Sequence, residues 1–109
     1  MHKYTIMVDL DGVLNNYTQY DENVIPEIKE GAKEFLEKLS EKYSLILFTT
    51  RNLQKASQWL IDNNLFQYFD DVTSIKYPAY IYLDDRAVQF NGDFDKALSD
   101  IDNFKVHWK

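Results

Sequence analysis

The sequence predicts an α/β fold: a three-layer α/β/α, Rossmann-like parallel sheet of four to five strands. Three short apolar runs, each of which ends in a polar cluster, lie at residues 6–8, 45–48 and 80–83. Helical patterns separate these runs, and strands that alternate with helices form parallel βαβ units. Because the chain has 109 residues, of which 45% are hydrophobic, we expect a single domain over residues 1–109.

The other elements follow from apolar periodicity and from turn residues. A first helix is expected from Pro26, a favourable first-turn residue, and Gly31 either weakens its first turn or marks its true start. Its apolar positions recur at helical spacing and are Ile28, Ala32, Phe35, Leu36 and Leu39. The later elements expected are a helix over 53–63, a minor strand near 72–74, a helix over 94–102, and a tail that packs Phe104, Val106 and Trp108 onto the core.

The composition argues against several kinds of site. The net charge of −6 disfavours binding to nucleic acid or to an anionic membrane surface. Without cysteine there is no disulfide, thiol nucleophile or cysteine-ligated zinc. His2 and His107 lie near opposite ends of the sequence, so a histidine-ligated catalytic metal is not expected. The first residues are too few and too charged for a signal peptide or a membrane span, so a cytoplasmic protein is the default expectation.

The most informative motif is a pair of carboxylates where the first apolar run ends. Asp9 and Asp11 flank Leu10 and are followed by Gly12. Period-two geometry turns both carboxylates the same way and Leu10 to the opposite face, while Gly12 permits the backbone to turn away. Two negative charges held this close destabilise each other unless a cation lies between them. The motif therefore predicts metal and phosphoryl chemistry.

Further polar residues are expected to join this pair. Thr49 follows the second apolar run, and Asp84 and Asp85 follow the third. The carboxyl ends of parallel strands lie at one edge of a sheet, where ligands bind. We therefore expect these residues to converge on Asp9 and Asp11 despite their separation in sequence.

The order of these residues resembles the haloacid dehalogenase (HAD) superfamily of phosphatases and phosphotransferases. The resemblance spans residues 6–86 and rests on four motifs in the family's order: Asp9-Leu10-Asp11-Gly12-Val13, Thr49, Lys76 and Asp84-Asp85. The ending Leu83-Asp84-Asp85-Arg86 is also similar to that of the 5′-nucleotidase and small phage or bacterial phosphatase branches. The resemblance implies a HAD-like domain without a cap that hydrolyses a small phosphomonoester, such as a nucleotide or a sugar phosphate, with Mg²⁺.

The resemblance also implies roles for the carboxylates. Asp9 is the expected nucleophile, which forms an aspartyl-phosphate intermediate, and Asp11 is the expected general acid and base. Proton transfer near neutral pH needs a raised pKa, which crowding by other carboxylates provides. The implied Mg²⁺ ligands are the Asp9 carboxylate, the Asp11 backbone carbonyl and one of Asp84 and Asp85, with Asp85 favoured as the direct ligand.

The same resemblance implies a phosphate-binding set. Thr49 is expected to hydrogen-bond a phosphoryl oxygen, and Thr50 is the weaker candidate for this role. Lys76 is expected to neutralise the transferring phosphoryl group. Because Lys76 precedes the final Asp pair by only eight residues, the chain must bend back for it to reach the site. If it does not, Arg51 or Arg86 supplies the positive charge.

Residues 15–24 occupy the position of the family's mobile flap. Tyr17 and Tyr20 either contact the substrate or pack this loop onto the core. Homo-oligomerisation stays open, since a partner subunit could act as a cap.

Two alternatives to an enzyme are a non-catalytic metal-binding regulatory domain and a receiver-like phospho-acceptor. The order of the motifs argues against a receiver, in which the acceptor Asp ends the third strand.

Overall fold

A four-stranded parallel sheet forms the centre of the fold. The computed structural model describes residues 3–109, so His2, on which one sequence prediction depends, lies outside the described residues. The strands are β1 (Thr5–Asp9), β2 (Ser44–Phe48), β3 (Asp71–Thr73) and β4 (Ile81–Leu83). Their order across the sheet is β3-β2-β1-β4, and each neighbouring pair is parallel. The predicted α/β class and Rossmann-like parallel sheet are therefore confirmed.

Three helices and a short 3₁₀ turn connect or follow the strands. They are α1 (Ala32–Ser40), α2 (Leu53–Asp62), the 3₁₀ turn Phe66–Tyr68, and α3 (Phe94–Asp102). Side chains cap the N-termini of two helices. The Asn52 side chain accepts a hydrogen bond from the Lys55 N–H at the start of α2, and the Asp93 side chain accepts hydrogen bonds from two N–H groups at the start of α3. The longest helix within residues 3–109 has 10 residues, and no helix in this range is long and apolar enough to span a membrane.

The first helix begins at Ala32, so the prediction that it begins at Pro26 is wrong. Residues ahead of it are extended, because Ile28 forms an antiparallel bridge with Asn15. Gly31 then takes φ 89°, a left-handed conformation outside the helical region. Gly31 therefore marks the true start of the helix, which is one of the two outcomes that the sequence allowed.

One face of the sheet packs against α1 and α2. The buried cluster consists of Ile6, Val8, Leu10, Leu14, Ala32, Leu36, Leu45, Leu47, Ala56, Leu60 and Leu65. Leu10 is fully buried in this cluster, and burying a leucine side chain contributes about 1.5–3 kcal/mol. Because the Leu10 side chain points into this cluster, the side chains of Asp9 and Asp11 point away from it. Phe35 is 43% exposed and does not belong to the cluster, although it was predicted on the same helical stripe.

The last helix and the tail differ from the other elements. α3 forms at the predicted residues, but it contributes no buried side chain to the core. Its apolar residues Phe94, Leu98 and Ile101 are exposed. Phe104 of the tail is also exposed, whereas Trp108 is partly buried and contacts the carboxyl edge of the sheet. The predicted packing of the tail onto the core is therefore wrong for Phe104, and the tail lies instead against the residues described next.

Candidate functional site

An acidic cluster lies where β1 and β4 end. Val8 pairs with Leu83, so the residues that follow them, Asp9 and Asp84, lie side by side at the carboxyl ends of the two strands. Asp9, Asp84 and Asp85 each offer one carboxylate oxygen, and these atoms all lie within 4.8 Å of one another. A single cation can bind among three oxygens at this spacing, and oxygen ligands suit a hard divalent ion.

Burial and crowding change the protonation of this cluster. Burial, a hydrogen bond with Asp85 and the negative charges of Asp84 and Asp85 raise the pKa of Asp9 to about 8. Partial burial also acts to raise the pKa of Asp85, but hydrogen bonds with Trp108, Asp9 and Asp84 outweigh it and hold that pKa below the ordinary value. Asp9 and Asp85 therefore share a proton near neutral pH, held mainly on Asp9. That proton relieves the same repulsion that a bound cation would relieve.

Asp11 lies beside this cluster but is engaged by other partners. Arg51 Nε donates to Asp11 Oδ2 at 2.8 Å, and Asn15 Nδ2 donates to Asp11 Oδ1 at 2.9 Å. Arg51 is only 4% exposed and Asn15 only 1%. Charge-assisted hydrogen bonds to both oxygens fix the orientation of the carboxylate. The Asp11 side chain is thus outside the three-carboxylate group, and ligation through its backbone carbonyl stays a prediction.

Arg51 also holds the loop that was predicted as a flap. Its Nη1 donates to the backbone carbonyl of Asp21 at 2.8 Å, and its guanidinium carbon lies 5.0 Å from the centroid of the Tyr20 ring. Arg51 Nη2 is buried and has no hydrogen-bond partner within residues 3–109. A buried donor without a partner costs about 1–3 kcal/mol. Because this nitrogen is buried and Arg51 does not line the cleft described below, a phosphoryl oxygen can reach it only if the side chain moves.

Thr49 is buried directly after β2. Its N–H donates to the Thr73 carbonyl at 3.0 Å, and its Oγ1 accepts the Arg51 N–H at 3.1 Å. Because Oγ1 accepts that bond, the hydroxyl hydrogen can still be donated to a ligand. Thr50, the weaker candidate, is exposed.

Most of the predicted residues, but not Arg51 or Lys76, line one cleft of about 230 Å³. It is lined by Asp9, Asp11, Tyr17, Tyr20, Phe48, Thr49, Thr50, Asp84, Asp85 and Arg86. A smaller pocket of about 110 Å³ shares Asp9 and Asp84 with it and includes Lys76. Lys76 Nζ lies 4.2 Å from the centroid of the Tyr82 ring. Lys76 therefore lines a pocket together with Asp9 and Asp84, but its ammonium group lies over Tyr82 and it does not line the cleft that holds Thr49.

The sequence left open whether Tyr17 and Tyr20 pack the loop onto the core or contact the substrate. Tyr17 packs edge-on against Trp108, with ring centroids 4.9 Å apart, and Tyr20 covers the Arg51 guanidinium. Both side chains also line the cleft. Packing of the loop is thus observed, while contact with a substrate stays a prediction.

Sequence reasoning did not find the contribution of the tail. Trp108 Nε1 donates to Asp85 Oδ2 at 2.6 Å, and His107 Nε2 is in hydrogen-bond contact with the Gly12 carbonyl. Gly12 has φ 84°, and a Cβ atom there would overlap the Asp85 carboxylate. The glycine after the two aspartates is therefore needed both for the turn and for this close approach. The only sequence signal was the apolar character of the tail, which does not specify a partner.

Comparison with known proteins supports the fold. No family model matches the chain, and no curated protein matches it in sequence. A solved structure of a conserved protein from Bacteroides thetaiotaomicron is similar, with 28% sequence identity and a TM-score of 0.64. The similarity covers 96% of this chain and 94% of that one. The two proteins therefore share an architecture over nearly their whole lengths.

Proposed function

We propose that this protein is a Mg²⁺-dependent phosphomonoester hydrolase of the HAD type that acts through an aspartyl-phosphate on Asp9. The observation that carries the proposal is the group of Asp9, Asp84 and Asp85, whose oxygens lie within 4.8 Å of one another at the carboxyl edge of the sheet. A neutral hydroxyl donor, Thr49, and a buried cation, Arg51, lie beside that group. Acid, donor and cation at one edge are what phosphoryl transfer requires.

The residues of the cluster fit a magnesium ion. They offer oxygen atoms only, and Mg²⁺ binds through one or two carboxylates together with water and substrate phosphate. Burial, and then the neighbouring carboxylates, raise the pKa of Asp9 to about 8, and compensating positive charge from a bound cation would favour its ionised form. When bound, Mg²⁺ supplies that charge for the carboxylates and for the phosphoryl oxygens.

Asp9 and Asp11 divide the covalent chemistry between them. In the first step an Asp9 carboxylate oxygen forms a bond to phosphorus, the bond from phosphorus to the leaving oxygen breaks, and Asp11 gives that oxygen a proton. In the second step Asp11 takes a proton from water, whose oxygen attacks phosphorus and releases Asp9 and inorganic phosphate. Arg51 and Asn15 orient the Asp11 carboxylate, which is the form that takes the proton from water in the second step.

Four polar side chains are placed to bind the phosphoryl group. Thr49 can donate its hydroxyl hydrogen, while Arg51, which is buried and bonded to Asp11, contributes positive charge and would have to move to donate from Nη2. Lys76 lines the smaller pocket together with Asp9 and Asp84, and the exposed Thr50 lines the cleft. Positive charge next to the acidic cluster lets an anionic substrate approach a protein whose net charge is −6.

The cleft favours a small substrate. At about 230 Å³ it accommodates a phosphoryl group and part of its leaving group. Tyr17 and Tyr20 at its wall suit a planar or ring-shaped leaving group. A nucleotide or a sugar phosphate meets these conditions.

The experiment is hydrolysis of a panel of phosphate esters, including an aryl phosphate, with Mg²⁺ and with EDTA. We expect turnover with Mg²⁺ only, and a loss of at least about 10³-fold in D9N because the nucleophile is removed. D102N, which neutralises an exposed carboxylate at the end of α3, is the matched control and should keep full activity. Activity that survives in D9N rules out Asp9 as the nucleophile. Lasting phosphorylation by acetyl phosphate without turnover would favour the receiver-like alternative.

A further inference from the structure

We propose that residues 106–109, here called the tail segment, are part of the metal site, and that Trp108 is a positioning residue for Asp85. The inference rests on the divalent-cation site of the proposed function. It adds to that site a residue outside the four sequence motifs. The observation that carries it is the hydrogen bond from the Trp108 indole N–H to Asp85 Oδ2, at 2.6 Å.

The indole ring is held in place from several directions. Tyr17 packs edge-on against it at 4.9 Å between ring centroids, and the Arg86 guanidinium carbon lies 5.0 Å from its centroid. Trp108 is partly buried although the residues on either side of it are exposed. A rigid ring with one N–H donor and fixed neighbours makes an oriented hydrogen bond, which a flexible side chain would not.

The tail segment also contacts the turn that carries the first two carboxylates. His107 bonds the Gly12 carbonyl, and Gly12 leaves the space in which Asp85 and Trp108 meet, because a Cβ atom there would overlap the Asp85 carboxylate and lie only 3.0 Å from the Trp108 indole nitrogen. The tail segment thus contacts the chain after β1 and the chain after β4. These two strand ends supply all three carboxylates of the cluster.

The hydrogen bond has a specific consequence for metal binding. Asp85 lies after the end of β4, where no ladder hydrogen bond fixes its backbone, and its carboxylate lies close to that of Asp84, which repels it. The indole N–H offsets this repulsion and sets which way the Asp85 carboxylate faces. Partners that orient a metal ligand from behind typically change metal affinity by about 10–100-fold. Trp108 is placed to act in this way.

The chain offers a matched control for the test. It contains two tryptophans, and the second, Trp59, also donates its indole N–H to an oxygen, the Pro26 carbonyl, at 3.1 Å. W108F and W59F therefore remove the same donor and keep an aromatic ring. Only the first of them acts on the acidic cluster.

Mg²⁺ affinity, measured by isothermal titration calorimetry, is the primary readout. We expect W108F to bind Mg²⁺ about 10–100-fold more weakly than the wild type, and W59F to bind it with wild-type affinity. Equal affinity in W108F and the wild type overturns the inference. If the wild type itself does not bind Mg²⁺, the proposed function fails instead, so the two failures are distinguishable.

Fluorescence provides a readout that does not depend on the folding of W108F. In W59F the remaining indole is Trp108, and its emission should change as Mg²⁺ is added, with the midpoint found by calorimetry. In W108F the emission of Trp59 should stay constant. Absence of any Mg²⁺-dependent change in W59F, while calorimetry shows binding, overturns the inference even if W108F is unstable.

Discussion

Replacing Asp9 by asparagine should stabilise the metal-free protein at neutral pH while abolishing activity. In the folded state the pKa of Asp9 is raised from 3.8 to about 8, first by burial and then by Asp85 and Asp84. The folded protein therefore binds this proton more tightly than the unfolded chain does. The stability that the protonated carboxyl contributes is fully present below pH 3.8 and is lost as the pH rises through about 8. The amide of asparagine carries no charge at any of these pH values, and it can still donate to Asp85.

The size of the effect follows from the shift. Between the ordinary pKa and pH 7 lie about three pH units, and at 1.36 kcal/mol per unit they correspond to about 4 kcal/mol. Asp9 is only partly buried, so solvent screening reduces the difference, and we expect D9N to gain about 2 kcal/mol at pH 7 to 8. For a chain of this length the gain corresponds to a rise of about 10 °C in Tm.

The assay is thermal unfolding followed by circular dichroism in EDTA at several pH values between 5 and 8. Wild-type Tm should fall across this range, relative to D9N, and D102N should follow the wild type. Adding Mg²⁺ should raise the Tm of the wild type and leave that of D9N nearly unchanged. A metal-free D9N protein that is less stable than the wild type at pH 8 refutes the reasoning.

Three further predictions follow from the site. Mg²⁺ must displace the proton of Asp9, so the Mg²⁺ affinity should rise about tenfold per pH unit from pH 6 to 7 and level off above about pH 8. Calorimetry in two buffers should show the release of about one proton at pH 7, and an affinity independent of pH contradicts the prediction. G12A should lose about 1–3 kcal/mol of stability and bind Mg²⁺ weakly, because φ is positive and the added Cβ overlaps Asp85; chemical denaturation checks the first effect, and wild-type stability refutes it. R51K keeps the charge but loses the planar array of donors, so kcat should fall at least about tenfold; an unchanged kcat excludes Arg51 as the residue that orients Asp11.

The sheet and the convergence at its edge could be predicted because both follow from local signals. Apolar runs that end in charge identify the strands, and parallel topology brings their carboxyl ends to one edge whatever the loops do. Asp9, Thr49 and Asp84 needed no further information to be placed together. The sequence favoured Asp85 over Asp84 as the direct ligand, whereas in the structure both offer an oxygen to the cluster, because both residues follow the end of β4.

The contacts that sequence reasoning missed join residues far apart in the chain. Arg51 meets Asp11 across 40 positions, and Trp108 meets Asp85 across 23. Neither pairing has a periodic pattern, because each depends on the direction of one side chain after the backbone is folded. The start of α1 was missed for a related reason. The bridge between Asn15 and Ile28 extends a segment whose own apolar spacing favours a helix.

The position of Arg51 couples the loop of residues 15–24 to the Asp11 carboxylate, the proton donor of the proposed mechanism. One guanidinium bonds the Asp11 carboxylate and the carbonyl of Asp21 at the same time. Outward movement of the loop would break the bond from Arg51 to the Asp21 carbonyl, which is worth about 1 kcal/mol. Without that bond, the guanidinium would hold the Asp11 carboxylate less rigidly. In the proposed mechanism, opening of residues 15–24 would therefore loosen the hold of Arg51 on Asp11, and closing them would restore it.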